Sequence, residues 1–375
     1  MAIKVVHITT VHYRYDVRIH YKYCKTLSKE KDLEVLLVVT DGNGTEQIND
    51  LKVLDIGKLK FGRIGRVIIG NFKVLTYALK CKRDLMHFHD PELLPSIIIL
   101  RLIGRKLIFD MHENLPLQIL TKTYMPKVLR IILSKCVNFF QNISFRFIPV
   151  IFAEFSYSKY FAKVKHRETI LNYPLKTEFR DITQRKNSCF TLGYMGSVAV
   201  ERGALVMLEA VAELRKKGED IDILFVGPID DTLESFSIYK KAIEEGWGIF
   251  KGRLKPKEGW NYMAKCHIGM AVLQDSPNFI DSYPTKLFEY MLLKLPIITS
   301  NFPLYKSIID DAECGIVVEP SSIKGITNSI LRMKNNHMER ILMGENGYRR
   351  AIEKYSWESS ELLKVKNFYK QVLQY

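Results

Sequence analysis

Lys286 and Glu289 are the two residues that a plain core helix cannot explain. Both lie in the stretch 268–301, IGMAVLQDSPNFIDSYPTKLFEYMLLKLPIITSN. The spacing predicts a helix with Ser282 as N-cap and Pro284 near the first helical position. Lys286 then falls in the first turn, where the macrodipole disfavours a cation. Glu289 is set among Leu287, Phe288, Tyr290, Met291 and Leu292, where an unpaired carboxylate is costly to bury. A ligand with phosphates at the helix N-terminus and hydroxyls deeper in accounts for both. The competing reading is a Lys286–Glu289 pair on one helix face; the apolar neighbours of Glu289 argue against it. Asp281, in the preceding loop, is within reach of the same site.

Four other loops carry chemistry. Loop 9–18, TTVHYRYDVR, has no glycine and is therefore not the G-x-G-x-x-G of dinucleotide binders. There Asp16 reads as a helix cap and Arg18 as either a surface or a functional residue. Segments 87–95 and 110–114 bring His87, His89 and His112 together with Asp90, Asp110 and Glu113. Without an H-E-x-x-H spacing, these loops point to a polar, substrate-orienting site ahead of a metal site. Asp90 alone reads as the cap of the next helix, whereas His112 has no evident structural task. Gly193-Tyr194-Met195-Gly196-Ser197 and Glu201-Arg202-Gly203 follow another strand pattern. Glycines there let a ligand approach the backbone, and Arg202 can hold a phosphate, although a simple tight turn would look similar. No G-x-x-x-x-G-K-[ST] is present, which excludes a P-loop nucleotidase.

The elements that must position these loops alternate in a regular way. Strand patterns at 3–9, 33–39, 85–88, 106–109, 150–153 and 169–171 alternate with helical patterns at 16–29, 67–82 and 93–101. Val17, Cys24 and Leu27 are the inward candidates of the first helix. Asn172-Tyr173-Pro174 and the polar run 176–188 read as a linker. The pattern then restarts with strands at 190–195, 223–226, 249–252, 268–273, 295–300 and 315–318, separated by helices at 204–217, 233–245 and 258–265. The expectation is α/β architecture used twice, as two Rossmann-like doubly wound domains with a cleft between them. Ligands of such sheets sit beyond the carboxyl ends of the strands, where the informative loops lie.

A chain of 375 residues suits two domains. Its net charge of +15 suggests an anionic partner, whether phosphorylated substrates, an anionic membrane surface or nucleic acid, against the competing reading of a Lys-rich solvated surface. No basic-aromatic recognition module supports nucleic acid. The six cysteines are scattered without a C-x-x-C pair, which argues against a zinc site or disulfide framework and fits a cytoplasmic setting. The N-terminus is not of secretory type, and no apolar run is long enough to span a bilayer. Segment 122–165 mixes Lys122, Lys127, Arg130, Lys135, Arg146, Lys159, Lys163 and Lys165 with Leu, Ile and Phe. It reads as a basic amphipathic surface for an anionic membrane, against the alternative that its apolar positions are core.

Taken together, the motifs resemble the GT-B-fold, retaining, nucleotide-sugar-dependent glycosyltransferases of family 4, in the branch that builds bacterial surface polysaccharides. The resemblance covers nearly the whole chain. It rests on His89-Asp90-Pro91-Glu92-Leu93-Leu94, Asp110-x-His112-Glu113, Gly196-Ser197 with Glu201-Arg202-Gly203, Pro284-x-Lys286-Leu287-Phe288-Glu289-Tyr290-Met291 and Tyr355-Ser356-Trp357-Glu358. It implies an N-terminal acceptor domain over 1–175, a nucleotide-sugar domain over 176–350, and a final helix over 351–375 crossing back to the first domain.

By resemblance, Glu289 holds the donor ribose and Asp281 meets the donor sugar, as an Asp where the family carries Glu. Arg202 and Lys286 neutralise the diphosphate, with Glu201 where a second base is usual. His112 contacts the sugar near the reacting carbon. Gly196, Ser197, Thr285 and Leu287 line the donor, and Gly252, Arg253 and Leu254 recognise the base. Helix N-termini at Ser197 and Pro284 assist with the leaving charge. The resemblance implies no cofactor and no metal, a UDP-sugar ahead of other donors, a polyprenyl-diphosphate-linked glycan acceptor, and a place on the inner face of the cell membrane. Two alternatives stay open: a catalytically impaired nucleotide- or glycan-binding subunit, and a nucleotide-sugar epimerase.

Overall fold

The computed structural model describes residues 2–59, 62–122, 125–183 and 185–374. Residue 184 of the polar run 176–188 lies outside them. The chain divides into two compact units, Met1–Asn172 with Glu361–Tyr375, and Tyr173–Ser360. Residues 351–360 of the segment expected to cross back thus stay with the second unit, and the last fifteen residues belong to the first.

The first unit holds eight strands: β1 Ile3–Ile8, β2 Leu33–Val39, β3 Glu46–Ile48, β4 Leu51–Asp55, β5 Leu85–Phe88, β6 Leu107–Met111, β7 Val150–Phe152 and β8 Arg167–Thr169. Their order is β3-β4-β2-β1-β5-β6-β7-β8, and only the β3–β4 pair is antiparallel. β3 and β4 are absent from the sequence reading, because short strands among polar residues carry little periodic signal. β1, β5 and β6 are apolar nearly throughout, as expected of parallel strands covered on both faces. Val6, Ile8, Met86, Phe88, Leu107, Phe109 and Val150 form one side of the core with Leu93, Ile97 and Phe145 from the helices.

The second unit holds β9 Phe190–Met195, β10 Ile221–Val226, β11 Gly248–Phe250, β12 Ile268–Ala271, β13 Ile297–Ser300 and β14 Gly315–Val318. All run parallel in the order β11-β10-β9-β12-β13-β14. In each sheet the strand order reverses direction at one place, around β1 and around β9. Crevices at the carboxyl ends of strands open at such points.

Several local expectations change. The helix after β1 is a wide, π-type turn over Val17–Cys24, and Val17 faces out while Arg18, Ile19, Tyr23 and Cys24 face in. Asp16 does cap it, accepting from the backbone N–H of Arg18 and Ile19. The helix expected at 67–82 runs Gly62–Lys80. Asp90 precedes the short helix Pro91–Leu93, but its side chain makes no capping bond there. The chain passes between units twice, and each side of the second passage is tied down. The Trp357 N–H donates to the Pro174 carbonyl at 2.9 Å and Glu358 accepts from the Lys176 N–H at 2.9 Å, both within the second unit. Glu361, fully buried, accepts from the Leu171 N–H at 2.7 Å in the first.

Gly203 is the tightest backbone crossing. Its φ is +79°, and a Cβ there would lie 1.7 Å from the Val272 carbonyl oxygen. Backbone strain of that kind costs about 1–3 kcal/mol before the clash is counted. Gly203→Ala is therefore expected to lower the unfolding free energy measured by urea denaturation by at least that amount, while the same change at exposed Gly218, where a Cβ meets nothing within 4 Å, stays near the cost of its positive φ alone.

Candidate active site

In the second unit, one cluster of polar residues is built by the loops after β9, β10 and β12 and by the helix Thr285–Leu292. That helix starts two residues later than Ser282 would set it. Pro284 is its N-cap, and its first residue is Thr285. Lys286 is buried, 8% exposed, and Glu289 is only half-buried, so the problem of a buried charge falls on the lysine. Tyr290, one turn on, locks the helix to the sheet. Its hydroxyl accepts from the Met195 N–H at 2.9 Å and donates to the Met270 carbonyl at 3.2 Å. Gly269 lies under its ring, where a Cβ would come within 2.5 Å.

This lock places the Lys286 ammonium 3.8 Å from the centroid of the Tyr194 ring, beside Gly196. The ammonium has no hydrogen-bond partner among the described residues. Burial, and then the charge of Arg202, bring its pKa down from 10.5 to about 7, with Glu289 pulling the other way. Arg202, Lys286 and Glu289 are thus close enough to sense one another. The Arg202 guanidinium also stacks 5.2 Å from the Phe279 ring centroid, on the short helix Pro277–Ile280 that ends at Asp281. Asp281 itself is exposed.

Ser197 is not at a helix N-terminus, as expected, but in the loop, where its carbonyl accepts from the Tyr194 hydroxyl at 2.8 Å. The helix N-terminus that follows β9 is at Gly203–Ala204, after the single turn Val200–Arg202. Gly227 packs against Gly196 so closely that a Cβ would lie 1.8 Å from the Gly196 carbonyl oxygen. The Gly227 N–H donates to the Gly252 carbonyl at 2.8 Å, which sets the turn of Gly252, Arg253 and Leu254 on the same rim. Thr285 is half-buried and Leu287 fully buried; Leu287 is core rather than ligand-lining.

In the first unit, the residues after β1, β5 and β6 converge on Asp110. This carboxylate is fully buried, and burial would raise its pKa; the Arg18 guanidinium, then His112 and His89, hold it well below the usual range. Arg18 donates through Nε at 3.0 Å and Nη2 at 2.8 Å. Arg18 is therefore a buried ion-pair partner, not a surface residue. His112 Nε2 lies 3.0 Å and His89 Nδ1 3.2 Å from the same Asp110 oxygen.

The hydrogen bonds then assign the tautomers along a chain. Burial lowers the His89 pKa to about 4 and holds those of His7 and His87 well below the ordinary imidazole value, so all three are neutral. His89 Nδ1–H faces Asp110, so His89 Nε2 accepts from His7 Nδ1–H at 2.9 Å. His7 Nε2 accepts from the Tyr369 hydroxyl at 3.2 Å, and the Tyr369 oxygen accepts from His87 Nδ1–H at 2.7 Å. The chain ends at His87 Nε2, a bare nitrogen with no partner. His112 is thereby held with Nε2–H on Asp110.

Asp90 organises the opposite wall. It accepts from the Thr9 hydroxyl at 3.1 Å, the Thr10 N–H, the Thr10 hydroxyl at 3.0 Å and the Val11 N–H at 3.3 Å. It therefore shapes loop 9–12 rather than capping a helix. His12 stands 3.5 Å from Asp90 and 3.7 Å from Asp16, and its ring stacks on His112 at 5.0 Å. These walls enclose a cavity of about 290 Å³ lined by His12, His89, Asp90, His112, Glu113 and Gln141, among others. The ligand-capable atoms of His89, Asp110 and His112 lie within 4.8 Å of one another. Asp110 already accepts from Arg18, His89 and His112, so this cluster needs no cation to balance it.

The structure brings Arg202, Lys286 and Glu289 near one another in the second unit and His112 onto Asp110 in the first. Sequence reasoning gave no part to His7, Tyr369 or Gln141, nor a locking role to Tyr290. The spacing of His87, on β5, and His89, just beyond it, was the one signal for the histidine chain; Tyr369 and Gln141 carried none.

Two parallel α/β units of this kind, each with its polar residues at the sheet's carboxyl edge, define the GT-B fold. Solved structures of that fold match over almost the whole chain. Sucrose-phosphate synthase from Thermosynechococcus elongatus superposes with a TM-score of 0.72 at 13% identity, covering 99% of each chain. Anabaena Alr3699/HepE, solved with UDP-glucose, gives 0.68 at 13% identity, over 98% of this chain and 100% of that one. Residues 176–350 match the family model for glycosyl transferases group 1. The capsular polysaccharide biosynthesis glycosyltransferase CapM of Staphylococcus aureus is 22% identical over 186 residues, 47% of this chain and 46% of CapM. The chain spans less than half the length of the curated relatives it matches. The family and these relatives are glycosyltransferases.

The Lys286 shift makes a pH prediction whose sign is fixed. The folded pKa of about 7 lies below the unfolded 10.5, so the unfolded chain holds the extra proton between them. Burying Lys286 therefore opposes folding fully below pH 7, and the penalty fades as pH rises toward 10.5. Lys286→Met should raise the melting temperature at pH 6, and by less at pH 10. Thermal melts at both pH values check this. Tyr369→Phe should cost about 1–3 kcal/mol in urea unfolding, because His7 Nε2 and His87 Nδ1 both lose their partner.

Proposed function

We propose that this protein is a retaining, family 4 glycosyltransferase that transfers a sugar from a UDP-sugar to a lipid-linked glycan in cell-surface polysaccharide biosynthesis. The observation that carries the reading is the Lys286 ammonium: buried, without a hydrogen-bond partner, and beside Gly196 and Arg202. A cation left in that state is arranged for an anion that arrives with a ligand.

The chemistry follows from charge. Glycosyl transfer places positive charge on the anomeric carbon and negative charge on the departing diphosphate. Lys286, Arg202 and the helix N-termini at Gly203 and Pro284 meet the second charge without a metal. Diphosphate binding holds Lys286 protonated above its free pKa. Glu289, half-buried one turn further in, takes the ribose hydroxyls, and Asp281 faces the donor sugar. Gly252, Arg253 and Leu254 sit where the base would lie. His112, with Nε2–H on Asp110, presents its remaining ring nitrogen toward the sugar or the acceptor in the first-unit cavity. UDP is favoured by the likeness to a UDP-glucose-bound fold relative, and the polysaccharide role by the likeness to CapM. Retention rests on the resemblance of the 281–291 motif; no nucleophile is assigned.

Incubation with nucleotide sugars separates this reading from its rivals. Slow release of UDP, raised by acceptor, is expected. No release with any donor would leave a nucleotide- or glycan-binding subunit, and an altered sugar without release would indicate an epimerase. Glu289→Ala should abolish UDP binding by calorimetry with the fold intact; unchanged affinity would sink the ribose assignment.

A further inference from the structure

The helix Lys127–Ser144 is amphipathic the wrong way round. Its inward stripe is Arg130, Ser134, Val137, Gln141 and Ser144, four polar residues to one apolar. Its outward surface carries Val128, Leu129, Ile131, Ile132, Leu133, Phe139, Phe140 and Ile143, all exposed, with Phe139 at 69%. A helix on a protein in water turns its apolar stripe to the core. The inner stripe is nevertheless held. The Ser134 hydroxyl donates to the Pro116 carbonyl and Arg130 Nη1 to the Leu120 carbonyl, both at 2.8 Å, which ties the helix to its neighbour Leu115–Leu120. Leu117 and Leu120 of that neighbour are exposed as well. The sequence alternative, that these apolar positions are core, is overturned.

We propose that this helix pair seats in an anionic lipid leaflet and that the acceptor sugar is delivered through it. The inference rests on the transferase reading for the acceptor, but not for the membrane. The occupant is identified by charge. From 114 to 153 the chain has no acidic residue, while Lys122, Lys127, Arg130, Lys135 and Arg146 are basic. Apolar insertion with a basic rim is the chemistry of an anionic bilayer surface. No helix among the described residues is long and apolar enough to cross a membrane, so the pair lies in the interface rather than spanning it.

The same helix reaches the acceptor site. Gln141, on the inward stripe and 1% exposed, lines the cavity that also holds His12 and His112, and its Oε1 accepts no hydrogen bond. Ile132, Phe139 and Ile143 stand on the opposite face, half a turn away. Lipid and acceptor cavity are therefore separated by one helix, about 10–12 Å. An unused buried acceptor in that cavity calls for a donor from the ligand, such as a sugar hydroxyl. The geometry points to an acceptor whose reacting sugar lies close to its lipid anchor, not at the end of a long polymer.

The test uses the full chain and vesicles of phosphatidylglycerol with phosphatidylethanolamine at low salt. The wild type should co-float, and an Ile132→Ser, Phe139→Ser double variant should not, at an unchanged melting temperature because both residues are exposed. A wild type that stays at the bottom, or a variant that floats equally well, overturns the membrane face. So does a wild-type dimer that the double variant dissociates, because a second copy would then cover it. With synthetic prenyl diphosphate acceptors, kcat/KM should fall at least tenfold as the reacting sugar is moved outward by further sugars. Gln141→Leu should raise acceptor KM about tenfold without a matching rise in donor KM. Equal use of short and long acceptors overturns the delivery model. Absence of transfer to any acceptor overturns the enzyme reading and with it the delivery, while flotation still decides the membrane face.

Discussion

The Asp110 carboxylate is fully buried, and the first unit is arranged to supply the hydrogen bonds that solvent gives an exposed one. A fully buried carboxylate is tolerable only if every lone pair has a donor and the charge has a counter-ion. Arg18, His89 and His112 meet that condition from three different loops. Each donor's other side must then be satisfied too, and the requirement passes through His89 and His7 to Tyr369 and His87. The polar interior is thus one connected system. Its directionality, with protons pointing toward Asp110, fixes which nitrogen His112 has left to use. Replacing any one link orphans a neighbour rather than merely deleting a bond.

The second unit handles charge in the opposite way. Lys286 is buried next to an aromatic face and a glycine backbone with its donors unused. The first unit pairs its buried carboxylate internally, whereas the second leaves the Lys286 ammonium without a hydrogen-bond partner among the described residues. Both solutions sit at the carboxyl ends of parallel strands, next to the strand where the order reverses. There backbone and side chains can converge from loops that are distant in sequence. Gly203 and Gly227 show how close that convergence is, since a methyl group at either position would occupy a carbonyl oxygen.

Much of the architecture was legible because parallel strands write themselves as short apolar runs and their helices as longer periodic ones. The loops after those strands then named most of the polar residues of interest. Boundaries were less legible where side chains compete for roles. Ser282 looked like the cap, yet Pro284 takes that position and moves the helix start by two residues. Burial falls on Lys286 rather than on Glu289. Asp90 looked like a cap because Pro follows it, but its oxygens are taken by loop 9–11, a contact that spans about eighty residues and leaves no local trace. The helix Lys127–Ser144 defeated the usual inference from hydrophobic periodicity: the pattern gave the stripe but not which side of it faces solvent.

Tyr369 also bears on the order in which the molecule can be finished. Its hydroxyl meets His7 and His87 in the first and fifth strands, and Lys366 pairs with Glu30 beside them in sequence terms at the other end of the chain. Chains emerge from the ribosome N-terminus first, and early domains usually fold before later ones are made. Here the first sheet can form early, but its buried histidines stay one donor short until Tyr369 has been made. The first unit is completed only after the second has been synthesised.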